Sequence, residues 1–178
     1  MRRPERRMTE VSPPTKKFSA DDILLRDVMN EDLPVFFADQ RDSLANRMAA
    51  FPPREWNTFV DHWRMNVLGN ATSSAKTILV AGAIAGYVSS WEQERKRFVA
   101  YWIGRDYWRQ GVATAALFAF LDRESTRPLY ADVAAKNRGS IRVLEKCGFR
   151  RFGESTIADD GFEELFFVLE AAPGPSET

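Results

Sequence analysis

Between residues 20 and 170 the spacing of apolar side chains changes period several times. Asp22-Ile23-Leu24-Leu25-Arg26 is a short apolar run of strand length. Asn30 is placed as the cap of a helix, with Glu31 and Asp32 suiting the positive end of its dipole and Pro34 in its first turn. Leu33, Phe37, Leu44 and Met48 continue that helix at helical spacing until Pro52-Pro53 breaks it. Trp56, Phe59, Val60, Trp63 and Val67 form one face of a second helix. The period then shortens. Residues 77–80, a turn at Ala81-Gly82 and residues 84–91 predict two antiparallel strands, with Gly86 marking a bulge or a close approach.

Residues 98–103 predict a third, aromatic strand, and residues 111–124 a helix with Ala113, Leu117 and Leu121 in register. Residues 129–134 read as a strand, and residues 137–147 as a helix ended by Gly148. Residues 149–152 and 164–169 complete the sheet. The order β-α-α-β-β-β-α-β-α-β-β places hairpins beside a β-α-β unit, which implies an α/β chain with a mixed sheet and helices on its faces.

The 178 residues are one domain's worth, and 44% hydrophobic with 28% charged side chains is ordinary for a globular protein. Charge balances overall but not locally. Residues 1–17 hold Arg2, Arg3, Arg6, Arg7, Lys16 and Lys17 against Glu5 and Glu10, leaving 19 basic and 23 acidic side chains for a mildly acidic body. We read 1–17 as a flexible basic arm, 18–170 as a single domain and 171–178 as a flexible tail. Zero net charge carries no bulk nucleic-acid signature. Cys147 is the single cysteine, so an intramolecular disulfide is excluded and a Cys-built metal site is not expected; no metal is expected. No apolar run reaches membrane-span length, and the early arginines lead into no signal-peptide core, so a cytoplasmic, membrane-free setting is expected.

Candidate chemistry concentrates in Ile103-Gly104-Arg105-Asp106-Tyr107-Trp108-Arg109-Gln110-Gly111-Val112-Ala113-Thr114, which joins a buried strand to a helix start. Unpaired N–H groups and partial positive charge suit such a place to an anion, although an ordinary loop with a turn glycine would read alike. Neither a nucleotide-binding Gly-Lys-Ser/Thr loop nor a dinucleotide Gly-x-Gly-x-x-Gly is present. A second segment runs Tyr130-Ala131-Asp132-Val133-Ala134-Ala135-Lys136-Asn137-Arg138-Gly139-Ser140-Ile141-Arg142-Val143-Leu144-Glu145-Lys146-Cys147-Gly148-Phe149.

Together the two segments resemble the GNAT superfamily of acyl-CoA-dependent N-acetyltransferases. The loop motif of that family is Gln/Arg-x-x-Gly-x-Gly/Ala, here Trp108-x-x-Gly111-x-Ala113-Thr114. Tyr-Trp-x-x-Gly-x-Ala-Thr is the form typical of the ribosomal-protein-alanine acetyltransferase branch. Asn137, Ser140, Leu144, Glu145, Lys146, Gly148 and Phe149 match the downstream motif. The resemblance implies about seven mostly antiparallel strands with a splayed parallel pair holding the cofactor, and four helices. It implies acetyl-CoA as co-substrate, its pyrophosphate cradled by the backbone N–H groups of Arg109, Gln110, Gly111, Val112, Ala113 and Thr114. Tyr101-Trp102-Ile103 would offer an open strand edge to pantetheine, with Asn137 contacting the cofactor.

For catalysis the resemblance implies Ser140 as the acid that protonates the departing thiolate, with Tyr107 as rival. Asn137 also suits a helix cap, and Ser140 a first-turn residue that satisfies backbone donors. Trp108 and Cys147 are read as packing residues. The base departs from pattern, because Phe98 occupies the position where relatives carry a glutamate; Glu92, Glu94, Asp132 and His62 remain as candidates. The expected reaction is direct acetyl transfer to a primary amine, with a peptide or protein N-terminus favoured. The alternatives are a small-molecule acetyltransferase (antibiotic, polyamine or amino acid) or a non-catalytic acyl-CoA-binding regulatory domain. Phe36, Phe37, Trp56 and Trp63 would line an acceptor groove if they were not core, and helical spacing favours core. A monomer or homodimer is expected.

Overall fold

The computed structural model describes residues 17–158 and 161–171. The basic arm, except Lys17, and the tail, except Ala171, lie outside the described residues. Eight strands form one sheet: β1 (Ile23–Asp27), β2 (Ser74–Val80), β3 (Ala83–Gln93), β4 (Lys96–Ile103), β5 (Leu129–Ala134), β6 (Arg150–Arg151), β7 (Thr156–Ile157) and β8 (Glu163–Leu169). The spatial order is β1-β2-β3-β4-β5-β8-β6, with β7 also on β8. All neighbours are antiparallel except β4 and β5. The expected mixed α/β fold is borne out, with eight strands in place of about seven.

Among the described residues five α-helices stand where four were expected: α1 (Leu33–Asp39), α2 (Ser43–Ala49), α3 (Trp56–His62), α4 (Val112–Leu121) and α5 (Arg138–Lys146). The first predicted helix is two. The Asp42 carboxylate accepts hydrogen bonds from the N–H groups of Leu44 and Ala45 at 2.9 and 2.8 Å, starting a new helix mid-stripe. Asn30 is not the cap; it opens a 3-10 turn, and the Asp32 carboxylate accepts from Met29 N–H instead. The stripe from Trp56 passes from α3 into a π turn at Trp63–Leu68; Phe59, Val60 and Trp63 are buried, whereas Trp56, at the start of α3, is exposed. Helix α4 stops at Leu121, short of residue 124, and buries Val112, Ala115, Ala116, Leu117 and Phe120, so Ala113 and Leu121 are peripheral.

The two helical layers bury different faces. Helices α1 and α3 and the π turn cover Ala75, Ile84 and Tyr87 through Leu33, Phe36, Phe59, Val60 and Trp63. On the other face α4 and α5 pack against Val88, Val99, Ile103, Leu129, Ala131 and Val133. The Ala81-Gly82 turn has both residues at positive φ (49° and 82°), as a two-residue hairpin requires. Gly86 does what both of its readings proposed. The β2–β3 register slips beside it at Ile78/Leu79, and its φ of 145° brings the backbone so close to β4 that a Cβ would run into the Trp102 carbonyl oxygen. Gly148, at φ 86°, follows α5; Phe149 N–H donates to the Leu144 carbonyl and Gly148 N–H to that of Glu145, closing the helix end.

Candidate functional site

Strands β4 and β5 pair only at Arg97↔Leu129 and Phe98↔Tyr130, and beyond that rung they part. Phe98 therefore marks the apex of the opening. It sits in a row of rings, 6.0 Å from Trp91 and 5.8 Å from Tyr130, with Phe152 and Phe166 continuing the series. An aromatic row explains why a carboxylate is absent there. The apex is fastened from behind by a buried ion pair. The Glu124 carboxylate accepts from Arg97 Nε and Nη2 at 2.9 and 2.7 Å and from the Ser90 hydroxyl at 2.6 Å.

A cavity of about 630 Å³ opens between the parted strands and the start of α4. Of the twelve residues singled out for catalysis or cofactor binding, eleven border it: Tyr101, Trp102, Ile103, Tyr107, Arg109, Gly111, Val112, Ala113, Thr114, Asn137 and Ser140. Gln110 does not. Its carbonyl accepts from Phe18 N–H at 2.7 Å and its side chain donates to the Asp106 carbonyl. Gly111 has φ 86°, and a Cβ there would lie 2.8 Å from the Phe18 carbonyl oxygen, so glycine is required by the loop and by the segment laid over it. The first α4 bond runs from Ala115 N–H to the Gly111 carbonyl, which leaves the N–H groups of Val112, Ala113 and Thr114 without helical acceptors. Trp108 donates its indole N–H to the Ile103 carbonyl at 2.8 Å, tying the loop to the strand end as a packing residue does.

Sequence reasoning missed other parts of the lining, among them Ala45, Met48 and Ala49 of α2, and Arg142 and Lys146 one turn apart on α5. No sequence signal placed α2 there, whereas the i, i+4 spacing of the two cations on the motif helix was legible.

Asn137 caps α5, its Oδ1 accepting from Ser140 N–H at 3.1 Å. Ser140 Oγ lies 2.7 Å from the Tyr101 hydroxyl. A smaller recess of about 130 Å³ lies within the parting itself, bordered by Val99, Ala100, Tyr101, Asp132, Ser140 and Glu164 among others. Of the four base candidates, only Asp132 borders either space. Burial raises its carboxyl above the ordinary value, Glu164 adds to this, and Lys96 opposes it. Alternation along β5 sets Asp132 on the face opposite Ala131 and Val133, which pack with α4 and α5. His62 contacts Asn66, and Glu92 and Glu94 are exposed near the β3–β4 turn. Burial pushes the Cys147 thiol up to about 12, and its sulfur faces the Thr114 carbonyl, as a packing role requires.

Asp39, at the end of α1, was also missed. Its carboxyl is pushed up to about 6, first by burial and then by Asp106 and Asp42. The native state binds this proton more tightly than the unfolded chain does. Stability should therefore fall as pH rises from the ordinary value of 3.8 through about 6. Asp39→Asn is expected to flatten that decline in urea titrations run at a series of pH values; an unchanged slope would exclude Asp39 as its source.

A mixed sheet whose one parallel pair parts beside a loop and helix start with unpaired N–H groups is the architecture of an acyl-CoA-dependent transferase. The model of the acetyltransferase (GNAT) domain matches residues 22–150. The chain belongs to the GNAT family and is an acetyl-CoA-dependent N-acetyltransferase. No curated protein sequence matches it. Among solved structures it is similar to spermidine N-acetyltransferase from Vibrio cholerae in complex with CoA and spermine, with 17% identity, TM-score 0.71 and coverage of 84% of this chain and 96% of that one. It is similar to the aminoglycoside acetyltransferase AAC(6')-Ib in complex with coenzyme A (17% identity, TM-score 0.69, 83% and 94% covered). Mycobacterium smegmatis RimJ in complex with CoA-disulfide gives 20% identity and TM-score 0.66, with 84% and 82% covered. Among the described residues no helix is long and apolar enough to cross a membrane.

Proposed function

We propose that the chain acetylates the α-amine of a peptide or protein N-terminus, with Ser140 as acid and Asp132 as base. The observation that carries this reading is the position of the two groups on either side of one opening. Both border the recess where β4 leaves β5, Ser140 from α5 on one face and Asp132 on the other. Tyr107 borders only the larger cavity, which favours Ser140 as donor.

Acetyl-CoA supplies the activated acyl group. The N–H groups of Val112, Ala113 and Thr114 would receive its pyrophosphate, supported by Arg109, Arg142 and Lys146, so the lining fits the cofactor. The Ser140 hydroxyl would donate a proton to the departing sulfur, and Asp132 would take one from the incoming ammonium. An α-amine has a pKa of roughly 7.7–8 against about 10.4 for lysine, so a carboxylate base suffices more readily for the former.

The test is thiol release from acetyl-CoA across peptides with varied N-termini, free amino acids, polyamines and aminoglycosides. Peptides are expected to turn over fastest. Turnover confined to polyamines or aminoglycosides overturns the acceptor, and coenzyme A binding without any turnover overturns the catalytic reading. Asp132→Asn is expected to lower kcat/KM roughly tenfold or more and to remove the acidic limb of its pH profile, which in the parent protein lies above the ordinary carboxylate value.

A further inference from the structure

We infer that Tyr101 is a positioning residue for the reaction, its phenol donating a hydrogen bond to Ser140 Oγ so that the serine's own proton is left to point into the cavity. This rests on the reading of Ser140 as proton donor and adds a residue to it. The resemblance assigned only the backbone of Tyr101, as part of an open strand edge. The side chain has a separate place.

Along β4, Val99, Tyr101 and Ile103 share the face that packs against α4 and α5. The Tyr101 hydroxyl thus meets Ser140, 39 residues away, from across the parting strands. Two oxygens of Ser140 compete for the single phenolic proton: Oγ at 2.7 Å and the backbone carbonyl at 3.3 Å. If the proton went to the carbonyl, Ser140 would have to donate to the phenol oxygen, aiming its proton away from any substrate. The shorter contact is to Oγ, and O–H···O bonds favour about 2.7–2.8 Å. With the phenol as donor, Oγ is held as acceptor and its hydrogen rotates freely toward the cavity.

The same bond acts during transfer. The Ser140 Oγ–H bond breaks as the S–H bond forms, and the negative charge left on Oγ meets the phenolic O–H already aimed at it. Burial raises the phenol's titration well above its ordinary value, so Tyr101 stays neutral and remains a donor throughout the working pH range.

Tyr101→Phe removes this one hydroxyl and keeps the ring. We expect kcat to fall about tenfold, with coenzyme A affinity by calorimetry and acceptor KM each within about twofold of the parent. In a Ser140→Ala background the same substitution should change kcat by less than twofold, because there is no longer a hydroxyl to orient. Thermal unfolding of each variant shows whether the ring still packs. Unchanged kcat for Tyr101→Phe, beside a large loss for Ser140→Ala, overturns the positioning role and leaves Ser140 as donor. Independent, multiplying losses in the double variant also overturn it, since the two hydroxyls would then act separately. A loss for Tyr101→Phe with none for Ser140→Ala would make Tyr101 the donor and overturn both readings.

Discussion

Ser140→Ala is expected to slow acetyl transfer about 100-fold while coenzyme A binds as tightly as before. The substitution deletes only Oγ. The hydrogen bond that Ser140 gives the helix cap comes from its backbone N–H to Asn137 Oδ1, which alanine supplies equally well. The cradle N–H groups and the cations at Arg109, Arg142 and Lys146 are untouched. A loss confined to kcat therefore reads a missing proton donor, and steady-state kinetics beside a calorimetric titration separates the two quantities. A loss of affinity with kcat preserved would make Ser140 a cofactor contact instead. Equal kcat for the variant and parent would remove the role from Ser140 and pass it to Tyr107 or Tyr101, which Tyr101→Phe distinguishes.

Glu124→Ala is expected to destabilise the fold by about 3–5 kcal/mol at neutral pH, measured by urea denaturation. Glu124 is 8% exposed and its carboxylate holds Arg97, the Ser90 hydroxyl and Thr126 N–H. Its removal leaves a part-buried guanidinium without its counter-charge and the Ser90 hydroxyl proton without its acceptor, although Arg97 keeps its bonds to Ser90 Oγ and the Thr72 carbonyl. Burial alone would raise the titration of Glu124. The bonds from Ser90, Arg97 and Thr126 reverse this and leave it at about 2, below the ordinary 4.5. A folded-state value lowered in this way gives stability that is complete above 4.5 and is lost as pH falls toward about 2. The gap between variant and parent should accordingly narrow across that interval. A constant gap would mean that Glu124 acts by packing alone. Because Arg97 is also on one of the two rungs that join β4 to β5, next to Phe98 at the apex, the variant should reduce activity at temperatures where it is still folded.

The loop and the α5 motif were legible because each is a contiguous stretch whose residues act through their own backbone or their own helix turn. Gly111, Asn137 and Ser140 needed no knowledge of distant neighbours. The α1–α2 break escaped because Leu33, Phe37, Leu44 and Met48 stay in phase across it. The signal was Asp42-Ser43, an N-cap pair that was passed over in favour of the stripe. The Tyr101 hydroxyl was half legible. Strand alternation sets its face, but only the packing of α5 shows what it meets. Asp39 was not legible, since what distinguishes it from other carboxylates is burial and like-charged neighbours, Asp106 among them, brought from elsewhere in the chain. Phe98 was read correctly as unable to act as a base, yet its reason for being there, a row of rings across the sheet, is tertiary.

The contact of Phe18 with Gln110 and Gly111 lies outside the stretch that defines the family, which begins at residue 22. The loop at residues 109–111 is thus held in part by a segment that the family match does not include. A recombinant boundary chosen from the family match would cut on the wrong side of it. Such a truncated protein would keep every motif residue and still present a looser loop, visible as faster amide exchange at residues 109–111.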